Sequence, residues 1–199
     1  MQLQETSMAS REMSFARQVL STSAIEEMPT YASNALPQRR GIVPLVQHYL
    51  DDFHVLYPFL SATKLWGSID AVSQEDGRYA SAMDHWTTRS ILAIALASLS
   101  RRRGDTQYQD AVRHATAALD HIETVVHPGS ISGIQALVLL VLYSMLDPHH
   151  FSSWYLIGLA SRAMVDIGLH QDPARELRLK ETELELRRRL YLSVYALDR

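Results

Sequence analysis

The chain has 199 residues, 47% of them apolar and 21% charged, enough to bury a sizeable core and unlike the composition of disordered chains. Its formal net charge of −3 provides no electrostatic footprint for nucleic acid at the level of the whole chain. There is no cysteine, which removes disulfides, thiolate zinc sites, Fe–S clusters and a cysteine nucleophile together. Met1 to Ser10 has no basic region followed by an apolar run, so no signal peptide is expected. The longest near-apolar stretch, 131–146, falls short of the roughly 20 residues that span a bilayer, so no membrane partner is expected either.

Residues 1–40 are rich in Ser, Thr, Gln, Met and Ala and carry no sustained apolar stripe, which reads as a flexible lead-in; a short helix over 11–20 is allowed, but nothing requires it to pack. From Pro44, placed as a first-turn proline, Leu45, Val46, Tyr49, Leu50, Phe53 and Leu56 repeat at helical steps until Pro58. A turn of helix over 62–66 and a loop closing on Gly77 come next. An Ala- and Leu-rich helix then runs from about Tyr79 to Arg102 and stops at Gly104. Asp105 caps a helix reaching about His127, where His127-Pro128-Gly129 breaks it. Ser130 opens a helix that is apolar all round, from Ile131 through Met145, and such a helix belongs in the middle of a bundle. Ser152 or Ser153 begins a helix over 154–167, closed by Gly168 in the left-handed position. Asp172-Pro173 starts a short helix, and Thr182-Glu183-Leu184-Glu185 has the capping-box pattern that opens the last one. No alternating strand pattern survives, so the predicted fold is an all-α antiparallel multi-helix bundle spanning 41–199.

Catalytic and metal chemistry find no constellation. His149 and His150 are adjacent, and His114 and His121 lie two helical turns apart, about 10 Å along the axis, so neither pair converges on an ion. Asp51 and Asp52 point about 100° apart on a helix and read as an acidic face rather than an acid–base pair. No nucleophile elbow, phosphate loop or dinucleotide fingerprint occurs, so an enzyme is not expected. Of the two arginine runs, 101–103 sits at a helix end where cations complement the dipole. In the other, Arg189 follows Glu185 by four residues and should pair with it on the surface. Arg187 falls inside an apolar arc with Leu186, Leu190, Val194 and Leu197, the arc that also holds Asp198. There a buried ion pair with Asp166 or Asp172 is expected, and losing Arg187 from such a pair costs about 3–5 kcal/mol.

Four segments, in order, resemble a known family. The stretch Trp154-x-x-x-Gly158-x-Ala160-x-Arg162-Ala163-Met164-x-x-x-Gly168-Leu169-His170-x-Asp172 is similar to the signature of the fungal-specific transcription factor regulatory domain. That domain is the middle homology region of Zn(II)2Cys6 binuclear-cluster regulators. The run from His48 to Leu60 resembles its opening aromatic helix with proline, and Gln135-Ala136-Leu137-Val138-Leu139-Leu140 its central Gln-Ala-Leu helix. Glu185-x-Arg187-Arg188-Arg189-Leu190-Tyr191, followed by Leu197-Asp198-Arg199, resembles its Glu-x-Arg-Arg-Arg helix ending in Asp-Arg. The resemblance covers about 43–199.

The same residues have structural readings of their own. Gly158 would permit close helix approach, Gly168 supplies positive φ, Leu169 covers a helix end, Asp172 caps the next helix and Trp154 is expected in the core. The motif residues, Gln135, Trp154, Gly158, Arg162, Gly168, His170, Asp172, Arg187 and Asp198, are therefore expected to be mainly scaffold. The resemblance implies a nuclear regulatory region, responsive to effectors and acting with co-regulators or the transcription machinery. Zinc and DNA binding would lie in a cysteine-rich module absent from this chain, with no cofactor held by the chain itself. A homodimer fits the family's habit of binding paired half-sites. Members continue past the Asp-Arg into further helices, so residues 41–199 read as a regulatory domain truncated at its C-terminus, whose final helix leaves apolar positions such as Leu192 and Ala196 uncovered. A stand-alone helical adaptor that binds a partner protein or peptide is the competing reading.

Overall fold

The computed structural model describes residues 14–21, 26–31, 35–74, 77–172 and 179–199. Several helices begin where the sequence provides a side-chain oxygen for an orphan backbone N–H. The Ser61 hydroxyl accepts from Lys64 N at 3.5 Å, Asp105 from Tyr108 N at 2.8 Å and Ser130 from Gly133 N at 3.0 Å. Ser81 and Asp84 form a reciprocal capping box, with bonds of 3.2 and 2.9 Å. The resulting helices are α1 (Phe15–Leu20), α2 (Arg39–Tyr49), α3 (Ala62–Ser73), α4 (Ala82–Leu99), α5 (Thr106–Leu119), α6 (Ile122–Val125), α7 (Ile131–Leu146), α8 (Ser153–Asp166) and α9 (Glu181–Leu197). No strand occurs among the described residues beyond an isolated bridge residue at Phe151, so the fold is all-α.

Several boundaries differ from the expected ones. Helix α2 starts at Arg39, so Pro44 lies inside it rather than in its first turn. Pro44 has no N–H to offer the Arg40 carbonyl, and the helix is tolerated because only that one bond near its start is lost. After Tyr49 the chain widens into a π-turn over Leu50–His54, leaving Val55 and Leu56 exposed instead of on a continued apolar stripe. Helix α3 runs a full 12 residues where a single turn was expected, because Leu65, Ile69 and Val72 form a buried stripe. The helix expected up to His127 breaks after Leu119 and resumes as the short α6. Helix α9 begins one residue before Thr182, and it is the Lys180 N–H that donates to Glu183 at 3.1 Å, so Thr182 is not the cap. The expected Pro173 helix lies outside the described residues.

The core is organised around two crossing helices. Every residue of α4 from Trp86 to Ala95 is buried, as are Gly133, Ile134 and Ala136–Ser144 of α7. Helix α4 packs against α2, α3, α5, α6 and α7, whereas α8 lies on α7, and α9 on α8 and α7. The Trp86 indole N–H donates to the Ala136 carbonyl at 3.2 Å and ties α4 to α7. Although nothing in the sequence required α1 to pack, Ala16 and Val19 are buried and α1 sits on α6.

Gly133 is the tightest glycine. A Cβ there would sit 2.0 Å from the His127 carbonyl oxygen, so the His127-Pro128-Gly129 turn rests directly on the first turn of α7. Gly67, by contrast, is an exposed residue inside α3 with nothing within 4 Å of its missing Cβ. Gly133→Ala is therefore expected to destabilise the chain by about 1–3 kcal/mol through backbone displacement. Gly67→Ala should stabilise it by about 0.5–1 kcal/mol through helix propensity. Parallel urea melts should move the two midpoints in opposite directions.

Candidate interaction surface

The signature helix α8 ends as a Schellman turn. Gly168, at φ 68°, lets its N–H donate to Val165 O at 3.0 Å, while Leu169 N–H donates to Met164 O at 3.0 Å and the Leu169 side chain is buried over the helix end. His170 and Asp172 come next, on the surface. Arg187 of α9 reaches back to this turn, its Nη2 donating to the Gly168 carbonyl at 3.5 Å. The guanidinium is half-buried and, among the described residues, neither Asp166 nor Asp172 pairs with it. The expected buried ion pair is thus replaced by one long hydrogen bond to a carbonyl, and the loss on removing Arg187 falls from the 3–5 range to about 1 kcal/mol. Arg189 pairs with Glu185 at 2.7 Å, as its four-residue spacing predicted.

The outer face of α8 and α9 departs most from expectation. Trp154, expected in the core, is 73% exposed, and its ring meets that of Tyr155, itself 58% exposed, edge to face at 4.9 Å. Gly158 has nothing within 4 Å of a would-be Cβ, so no helix among the described residues uses the close approach it permits. Arg162 is exposed and, among the described residues, forms no ion pair. At 100° per residue Trp154, Gly158, Arg162 and Val165 form one outward stripe, because Leu156, Ile157, Ala160, Ala163 and Met164 take the inner face. Asp198, at the end of α9, and Gln18 of α1 border a cleft of about 420 Å³ lined on α8 by Trp154, Tyr155, Gly158, Leu159 and Arg162. On α9 itself Leu192 and Tyr195 are 59% and 44% exposed, and Arg199 lies over the Tyr195 ring at 4.7 Å. Four motif residues, Trp154, Gly158, Arg162 and Asp198, therefore share one aromatic and arginine-bearing surface.

Gln135 does something different. Its Nε2 donates to the Phe59 carbonyl at 2.6 Å, latching α7 to the segment before α3. A second polar latch was not read from the sequence. Asp147, buried at the end of α7, accepts from Tyr143 at 2.9 Å and Tyr108 at 3.2 Å, and contacts His150 Nδ1 at 2.7 Å. Burial alone would raise its carboxyl. The imidazole and the two hydroxyls outweigh that and hold it below the usual value, while burial beside this carboxylate pushes the Tyr143 phenol up. The spacing of Tyr143, Asp147 and His150 on successive turns was the available signal.

One side-chain set has the order of a hydrolase triad. His48 Nε2 lies 2.7 Å from Ser98 Oγ, and His48 Nδ1 lies 2.9 Å from Asp52. Ser98 sits within α4, where its hydroxyl donates to Ala95 O at 2.8 Å and the neighbouring backbone N–H groups are taken up in the helix, leaving no oxyanion donors. The set clamps α2 to α4. Among the described residues no group of three His, Asp or Glu side chains is placed to hold a metal, and no helix is long and apolar enough to cross a membrane. With no cysteine either, the residues present do not fit a thiolate zinc cluster.

The described residues thus form an all-α body that carries an exposed aromatic and arginine-bearing surface. The chain belongs to the fungal specific transcription factor domain family, whose model matches residues 46–199. It is 30% identical over 113 residues to the negative regulator of pleiotropic drug resistance STB5 of Candida glabrata, covering 55% of this chain and 11% of that protein. It is 36% identical over 69 residues to the pyrimidine pathway regulatory protein 1 of Saccharomyces cerevisiae, covering 35% of this chain and 8% of that one. It is also 26% identical over 166 residues to the lactose regulatory protein LAC9 of Kluyveromyces lactis, covering 80% of this chain and 17% of that one. The matched region is thus a minor part of each of these regulators. No solved structure matches the chain.

His114 provides the clearest pH dependence. It is buried in α5, and burial first, then the Arg89 and Arg113 charges, lowers its imidazole from 6.5 to about 4. Above pH 6.5 the ring is neutral in both states and its contribution is fully present. As pH falls from 6.5 to about 4 the unfolded chain takes up the proton first, so stability drops by up to about 1.4 kcal/mol per pH unit, about 3 kcal/mol in all. His114→Leu should flatten urea midpoints across this window. A smaller slope should remain from His121 and His54, both also lowered by burial.

Proposed function

We propose that this chain is the regulatory, effector-responsive region of a nuclear fungal transcription factor, and that it catalyses no reaction. In this reading DNA recognition and its zinc lie in a cysteine-rich module outside these residues, and the helical body acts through co-regulators, the transcription machinery or a second copy of itself. The observation that carries it is the family match over residues 46–199. The net charge of −3 and the absence of cysteine support the division of labour, since base readout needs a suitably placed basic element. A stand-alone adaptor is the second reading, favoured by the exposed Trp154 and Tyr155.

Fused to an unrelated DNA-binding domain in a fungal host, residues 1–199 should change expression of a reporter carrying that domain's site. An unchanged reporter would favour the adaptor. The unfused chain should produce no sequence-selective shift of duplex DNA at physiological salt, with or without zinc. A selective shift would overturn the assignment of DNA binding to another module.

A further inference from the structure

We propose that α8 packs antiparallel against α8 of a second copy of this chain, on a two-fold axis through Gly158, with Trp154 of each copy over the Arg162 guanidinium of the other. The proposal rests on the self-association included in the proposed function and gives it a location.

The stripe is self-complementary, as a two-fold contact demands. Trp154 and Arg162 stand four residues before and four after Gly158, on the same face, each about 6 Å along the axis from it. A two-fold through Gly158 reverses the helix and brings the −4 position of one copy opposite the +4 position of the other. The pairing that results is an indole face, the best ring for a cation–π contact, against a guanidinium, the cation most often found in one. Arg162 is available for it, being exposed and without an ion pair among the described residues.

Gly158 suits the axis for a separate reason. A glycine inside an exposed helix is unfavourable by about 0.5–1 kcal/mol relative to alanine. Among the described residues nothing approaches within 4 Å to exploit the gap. A second helix crossing at that point would use the missing side chain to bring the two backbones together. Along the stripe itself Trp154, Tyr155 and Val165 are 73%, 58% and 51% exposed. With aromatic side chains contributing about 150–250 Å² each when fully covered, these three offer on the order of 300–400 Å² of apolar surface per copy. That is about half of the roughly 800 Å² per partner of a standard interface, the scale of a weak, reversible dimer. Arginine and aspartate together on one patch suit a copy of itself better than a partner of a single charge sign.

Sedimentation of the 199-residue chain across the micromolar range should show a monomer–dimer equilibrium. Gly158→Leu is the decisive variant: its Cβ meets nothing within 4 Å in the monomer, so the circular dichroism should hold and the urea midpoint should hold or rise with helix propensity, while the dimer Kd weakens about tenfold or more. Trp154→Ala and Arg162→Glu should weaken it similarly, and Arg162→Lys should retain most of the affinity. Because the chain has no cysteine, Gly158→Cys should yield a disulfide-linked dimer under mild oxidation, whereas Gly67→Cys on the exposed side of α3 should not. A monomer at every concentration would overturn the proposal together with self-association itself. A dimer indifferent to Gly158→Leu and Arg162→Glu would leave self-association standing and overturn this interface alone.

Discussion

A fully buried indole must place its N–H against an acceptor, and Trp86 meets that requirement only where α4 crosses α7, at the Ala136 carbonyl. The contact joins residues 50 apart in the chain and fixes the register of the two helices, because one turn of sliding would leave the indole N–H unpaired in the core. Around it α4 buries Thr87, Thr88, Arg89 and Ser90 on consecutive positions, so the crossing is also where desolvation is heaviest. Burial depresses the Arg89 guanidinium there, with the Asp120 charge acting in the opposite direction. Neither α4 nor α7 has a free face along these buried stretches, and the remaining helices find their places by covering what these two leave apolar.

The helices at the periphery are consequently one-sided, and this explains how one motif can be both scaffold and surface. In α8 the inner positions Leu156, Ala160 and Ala163 join the core, while Trp154, Gly158 and Arg162 look outward. The Schellman turn at Gly168 then sets the direction of the chain after α8, and its carbonyl receives Arg187 from α9. The signature is thus a helix with a defined end, holding its neighbour by the end and offering its outer stripe. Gly168 and Leu169 belong to the first role and Trp154 and Arg162 to the second.

Features set by local forces were legible in the sequence. Caps at Asp105 and Ser130, the left-handed stop at Gly168, the i,i+4 pair of Glu185 with Arg189 and the all-round apolar character of α7 depend on near neighbours, and they were readable. The depth of α4 was not, because its run of Thr, Thr, Arg and Ser reads as polar, and only α2, α3, α5, α6 and α7 closing around it bury those residues. Pro44 was placed in a first turn because that is its least costly position, yet packing of Ile42, Val46 and Tyr49 carries the helix back to Arg39. Trp154 failed for the converse reason. A large aromatic at helical spacing is core by default, and only the phase of its neighbours shows it facing out. The need for glycine at 133 lies in the backbone of a turn six residues earlier, which no helical pattern records.

Local stability should fall steadily away from the α4–α7 crossing, and the N-terminal segments stand at its lower end. Ser14 donates to Glu123 at 3.1 Å, Arg17 lies 4.0 Å from the same carboxylate, and the Tyr31 ring lies under Arg113 at 5.5 Å. Glu26 pairs with Arg103, and its N–H donates to His149 O at 3.1 Å. Exposed pairs of this kind contribute about 0–1 kcal/mol each, so α1 is held chiefly by its buried Ala16 and Val19, which belong to the core. The attachments at Glu26 converge on sensitive ground. Arg103 contacts Tyr108 at 3.4 Å, Tyr108 reaches the buried Asp147, and His149 lies beside His150, which completes that network. Arg103 thus joins the segment at Glu26 to the rim of the buried carboxylate, and that carboxylate in turn ties together α5, α7 and the turn before α8.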